Sequence, residues 1–173
     1  MLPWYEPEIT PKVLEPGVRR YGGLDENDAP ANVRAVIEAQ MMSMAVHSSW
    51  MEVDFVTVFA TGGAAANREI LQVMANVHDA DVYQFPVGNS AALGSALRAL
   101  HADLLSSGED ANWRDVIREF AEPLESSRIS PEKDCVAMYK ELCEVFAACE
   151  RHAVGGGADP APQIEAFRGK YSS

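Results

Sequence analysis

The order of apolar patterns along the chain predicts an α/β fold, helix-rich with few strands. Three observations carry it. Most apolar residues recur at helical spacing, and only residues 55–60 (FVTVFA) and 82–85 (VYQF) have strand composition. The patterns run helix, strand, helix, strand and then helices. Finally, 47% hydrophobic residues in 173 is enough to fill one real core.

Residues 1–29 read as an irregular or extended lead-in segment. Prolines at 3, 7, 11 and 16, glycines at 17, 22 and 23, and the acids Asp25, Glu26 and Asp28 interrupt any periodic pattern. From Pro30, a residue suited to a first helical turn, Val33, Val36, Ile37, Met41 and Met44 predict a helix over residues 30–49. The run 55–60, bounded by Asp54 and by Thr61-Gly62-Gly63, suits a buried strand. Asn67 is placed to cap a second helix with Ile70, Met74 and Val77 on its buried face. Residues 82–85 read as a second strand, closed by Pro86 and Gly88.

Asn89 or Ser90 can cap a third helix, with a stripe of Leu93, Leu97, Leu100 and Leu104 and small residues elsewhere that permit close packing. Asn112 precedes a short helix marked by Trp113, Val116, Ile117 and Phe120. Ser130-Pro131-Glu132 supplies a cap, a first-turn proline and a first-turn acid for a fifth helix, striped by Cys135, Tyr139, Leu142, Phe146 and Cys149. Residues 155–173, opening GGGADPAP, read as a flexible tail with at most one turn around 164–167. Two strands are thin support for a freestanding α/β domain, so further strands are expected outside this sequence.

A net charge of −12 disfavours a nucleic acid partner, and the 14 basic residues form no stripe. No apolar run is long enough to span a membrane, and the first residues lack the basic and apolar regions of an export signal. Cys135, Cys143 and Cys149 fit neither a metal pattern nor an even disulfide framework. They read as reduced thiols, which implies a cytoplasmic protein.

The informative segment is VFATGGAAANREILQVMANV, residues 58–77. Glycines without Cβ let backbone approach a flat ligand, the alanines keep the surface low, and an asparagine amide caps a helix while offering polar atoms to a base or ribose. N–H groups at the helix start favour anionic or electron-rich atoms. A glycine pair between strand and helix reads equally well as a tight turn. It is neither G-x-G-x-x-G nor a P-loop, since no Lys-Ser/Thr pair follows.

The strings ATGGAAANREILQVMANVHDADVY and GNSAALGSALRALHA, preceded in order by YEPEITPKV and VRAVIEAQMM, resemble the FGGY carbohydrate kinases, and within them the xylulose kinase type. The resemblance spans nearly the whole chain, is closest over residues 33–101, and is looser beyond 105. It implies that residues 30–154 are the C-terminal, ATP-binding portion of an actin-like ATPase (ribonuclease H-like) domain. It assigns Gly62 and Gly63 to the adenosine of ATP, Asn67 to nucleotide contact, and Ala64, Ala65 and Ala66 to the floor between them. The segment from Asn89 to Gly94 is assigned to packing beside that motif.

The reaction implied is phosphorylation of a ketopentose, D-xylulose to D-xylulose 5-phosphate, by ATP with Mg²⁺. In the family the general base is an aspartate at the inter-domain cleft, and that residue, the phosphate loops and the sugar contacts lie upstream of the matched region. No catalytic residue and no Mg²⁺ ligand is therefore assigned to this chain, its missing N-terminal kinase half is the expected partner, and the isolated chain is expected to be inactive. The alternative is a truncated or separately encoded nucleotide-binding module without catalysis of its own. An uncovered sheet would favour a homo-oligomer. Ala39 replaces the family's usual glycine, which preserves helix propensity.

Other polar candidates have plainer readings. His47, His78, His101 and His152 share no metal spacing and read as surface or satisfied structural residues. Glu6, Glu8, Asp25, Glu26 and Asp28 read as solvated or structural acids, and Met41, Met42 and Met44 as core.

Overall fold

The computed structural model describes residues 1–85, 87, 89–120, 122 and 124–171. In chain order the elements are β1 (Leu2–Trp4), β2 (Gly17–Arg19), α1 (Ala29–Ser48), β3 (Thr57–Ala60), α2 (Arg68–His78), β4 (Asp81–Gln84), α3 (Ser90–Ser106), α4 (Trp113–Ile117), α5 (Lys133–Ala153) and α6 (Ala161–Tyr171). Pro86 and Gly88, expected to close β4, lie outside the described residues.

The expected helices form, with local reasons visible at their starts. Asp28 accepts the Ala31 N–H at 3.1 Å and Pro30 occupies the first turn of α1. Asn67, Asn89 and Asn112 cap α2, α3 and α4 through their side-chain oxygens. The expected cap at Ser130 is not used. Its hydroxyl donates to Asp81 Oδ1 at 2.7 Å, the Glu132 N–H donates to Asn76 Oδ1 at 2.8 Å, and α5 starts only at Lys133. Tertiary hydrogen bonds to β4 and α2 have replaced the local cap.

The lead-in is more ordered than its composition suggests. β1 and β2 pair antiparallel, Leu2 opposite Arg19 and Trp4 opposite Gly17. Leu2 and Trp4 share the inward face and pack with Ala39, Met42, Phe146 and Cys149. Pro3, between them, sits on an edge strand, where a missing N–H is tolerated. Ala39 is 1% exposed in this cluster, so the small residue at that position lies where β1 and α5 press on α1.

The tail likewise holds a helix. The glycines at 155–157 form a reversal: a methyl added at Gly157 would lie 3.0 Å from both Arg151 Cβ and the His152 nitrogen. The turn returns α6 onto α5, where Ile164 joins the core and Tyr171 donates to Glu141 at 3.0 Å.

Helices α1, α2 and α5 form the main layer. Between them Met41, Val73 and Tyr139 make a buried cluster. The Tyr139 hydroxyl donates to Glu38 Oε1 at 2.7 Å and accepts from Arg34 at 2.8 Å, so its buried oxygen is satisfied. Burial and the hydrogen bond to Glu38 push the phenol well above its usual range. The residues most buried on α2 are Leu71, Val73 and Ala75, while Ile70, Met74 and Val77 are half-buried. The helix is packed on two faces, by α1 and α5 on one side and β4 on the other, so one stripe did not predict its burial. Similarly, Ala39, Met41 and Met42 are buried on α1, whereas Val33 and Met44 face outward.

β3 and β4 pair in parallel, Thr57 opposite Asp81 through Ala60 opposite Gln84, with α2 as the crossover. The far edge of β4 is closed by segment 127–129: Val82 and Ile129 exchange both backbone hydrogen bonds at 2.9 Å. Among the described residues β3 pairs only with β4. No helix among the described residues is long and apolar enough to cross a membrane.

Candidate functional site at the ends of the parallel strands

Chain leaving the C-terminal ends of β3 and β4 enters α2 and α3 respectively. In open α/β sheets this end is where ligands bind, because loops and helix N-termini converge there. The two exits are joined directly: Thr61 Oγ1 donates to Ser90 Oγ at 3.2 Å. Gly62, Gly63, Ala64 and Asn67, the residues singled out from the sequence, lie on one short turn. Residues Gly63–Ala66 form a single 3₁₀ stretch between β3 and α2.

Each residue of the turn has a distinct local role. Gly62 has φ +90° and ψ −176°, backbone that residues with a Cβ essentially avoid. Gly63 has no positive φ, and a methyl there would meet nothing within 4 Å among the described residues. Neither conformation nor packing against the described residues calls for glycine at 63. The three alanines do not form one floor. Ala65 turns inward against Ala60, Leu71 and Val82, whereas Ala64 and Ala66 are exposed.

Asn67 Oδ1 accepts from the Glu69 N–H at 2.9 Å and the Ile70 N–H at 3.4 Å. Its oxygen is thus committed to the cap, and Nδ2 has no partner among the described residues. Asn67 is exposed, so this amide can donate outward. No charged side chain occurs from Thr61 to Asn67, leaving backbone dipoles and amides as the polar features of the turn.

A residue the sequence reading missed underlies the turn. Gln84, the last residue of β4, donates from Nε2 to the Ala65 carbonyl at 2.6 Å. Its pattern on the strand gave no signal, because its partner is 19 residues away. Asn89 caps α3 through the Ala92 N–H at 3.0 Å, but Ala92, Gly94, Ser95 and Ala96 remain exposed, so the packing expected of this segment is not made among the described residues.

Other polar groups lie elsewhere. A hollow of about 780 Å³ touches His78, Lys140 and Arg151 at the opposite end of α2 and does not include the glycine turn. Cys143 is pushed up to about 11 by burial. No group of three or more His, Cys, Asp or Glu side chains able to hold a metal occurs among the described residues.

Comparison with known proteins puts this geometry in a lineage. Residues 2–102 match the model of the FGGY family of carbohydrate kinases, C-terminal domain. The chain is 30% identical to the xylulose kinase of Rattus norvegicus over 160 residues, covering 88% of this chain and 29% of that protein. The Mus musculus xylulose kinase is 31% identical over 160 residues, 88% of this chain and 28% of its own length. Xylulose kinase 2 of Arabidopsis thaliana is 42% identical over 78 residues, 44% of this chain and 14% of that protein. The chain therefore spans less than a third of the length of these relatives. With the family match covering more than half of the chain, from β1 through the glycine turn into α3, this chain belongs to the FGGY family of carbohydrate kinases, as a C-terminal domain of that family.

Proposed function

We propose that the chain is the adenosine-binding part of an ATP-dependent kinase that phosphorylates a ketopentose, D-xylulose to D-xylulose 5-phosphate, within an actin-like (ribonuclease H-like) fold. The observation that carries the reading is Gly63. Open space above a glycine that its own chain does not require suits a flat ligand lying on the turn. The free amide of Asn67 would donate to the base or ribose, and the low surface at Gly62, Gly63 and Ala64 would face the nucleoside. The names of the relatives supply the sugar.

The part of this chain in phosphoryl transfer is positioning. Mg²⁺ accompanies the phosphates of ATP and would neutralise their charge. Among the described residues no group of three or more His, Cys, Asp or Glu side chains could hold it. On this reading a general base and the sugar contacts come from segments other than these 173 residues. A chain of these residues alone is expected to show no ketopentose-dependent release of ADP. Sustained turnover by the purified chain would refute that division of labour.

Calorimetric titration with ATP tests the site. Asn67→Ala should weaken binding about tenfold and cost about 1 kcal/mol of stability through the lost cap. Asn67→Asp keeps the capping oxygen but replaces the outward amide, so it should weaken binding while leaving the unfolding midpoint close to that of the parent. Equal ATP affinity in the parent and both variants would reduce the glycine pair to a turn.

A further inference from the structure

We infer that Gln84 is a positioning residue of the nucleotide site: it holds the glycine turn at its working height from beneath. The inference rests on the adenosine-binding reading above, and its basis is a short chain of hydrogen bonds. Gln84 ends β4, and its Nε2 donates to the Ala65 carbonyl at 2.6 Å. Ala65 is the one residue of the 3₁₀ stretch whose methyl enters the core, beside Leu71 and Val82. The turn is therefore pinned at its middle residue by packing and by Gln84, while Gly62, Gly63, Ala64 and Ala66 stay exposed on the ligand side.

Gln84 is itself held. Its backbone N–H donates to Ser127 Oγ at 2.9 Å, and the Ser127 hydroxyl donates to the Leu124 carbonyl at 2.6 Å. Ser127 is 3% exposed. Segment 124–129 thus fixes the end of β4, and β4 fixes the turn across the sheet. A two-glycine, three-alanine turn has little side-chain mass with which to hold its own shape. An anchor on its middle carbonyl reduces the conformations lost on binding and so favours affinity by preorganisation.

The test compares ATP binding and backbone amide exchange in the full chain, the Gln84→Met variant and the Gln84→Glu variant. Methionine keeps length and volume but removes the donor, and the main-chain bond to Ser127 is untouched. ATP binding should weaken about tenfold, the size of one intramolecular hydrogen bond, with faster exchange at residues 63–67 and unchanged exchange in α5. Glutamate supplies an internal control. Ionised, it cannot donate to the Ala65 carbonyl. Protonated, it can, so its affinity relative to the parent should recover as pH falls from about 7 through the ordinary carboxyl range near about 4. A purely structural role would not produce that pH-dependent rescue, and the one variant serves even if Gln84→Met folds poorly.

Parent-like affinity and exchange in Gln84→Met, or no recovery in Gln84→Glu, would overturn the role of Gln84 alone. Failure of the parent chain to bind adenine nucleotide would overturn the nucleotide reading and this inference with it.

Discussion

The layer of α1, α2 and α5 buries large apolar side chains at its centre, although Val33 and Met44 face outward, whereas the region around β3, α3 and α4 leaves several exposed and buries Leu97. In the layer, Leu71 and Tyr139 are each 1% exposed. In the other region Phe59 is 50% exposed, Leu100 44% and Leu105 51%. The first region draws its stability from contacts within the chain. The second carries the glycine turn and presents surface, with the outer edge of β3 unpaired among the described residues. The candidate site lies at the boundary between them, anchored from the packed side through Ala65 and open on the other.

The contrast is broken most directly by paired leucine truncations. Leu71→Ala should cost about 3 kcal/mol, because a filled position becomes a cavity, whereas Leu100→Ala on α3 should cost under about 0.5 kcal/mol. Urea midpoints of the two variants measure the difference. Comparable losses would show that the α3 face is covered in solution.

A smaller effect is expected at the boundary. Gly62→Ala places a Cβ on backbone at φ +90° and should cost about 1 kcal/mol, while Gly63→Ala should leave thermal stability almost unchanged. Both should impair ATP binding, since both raise the turn surface. A Gly63→Ala variant with parental affinity would move the nucleoside away from residue 63.

The smallest expected effect is a pH dependence at the far end of α2. Burial holds the His78 imidazole below its ordinary 6.5, and the ring stands edge-on to Phe55 at 5.9 Å. As pH falls through 6.5 the unfolded chain gains a proton that the folded chain resists, so stability is full above that value and declines below it. Replacing His78 with Gln should flatten the decline between about pH 7 and about pH 5.5, read from urea midpoints. An unchanged slope would show that His78 is solvated.

The site was legible where chemistry is local. Asn67 caps α2 as its position before Arg68-Glu69-Ile70 predicts, and a glycine pair after an apolar strand marks a turn of low surface. Its support was not legible. Gln84 reaches Ala65 across the sheet, and Ser127 reaches Gln84 over 43 residues. The fold divides similarly. Helices with long periodic stripes were evident, whereas β1 and β2 are three residues each, with Pro3 inside the first and Pro16 just before the second, and α6 follows three glycines that resemble a linker until Gly157 is seen in a tight reversal.

By itself, the order of residues determined the α/β class, the asparagine caps and the strand, glycine-pair, helix arrangement, because each depends on neighbours within one or two turns of chain. Tertiary structure alone decided that α5 starts at Lys133 and not beside Ser130, that Ala65 faces the core while Ala64 faces out, and that Gln84 carries the turn. The physical reason is common to all three. A backbone or side-chain polar group takes the partner that folding brings within reach, and no local pattern of residues records which distant partner that will be.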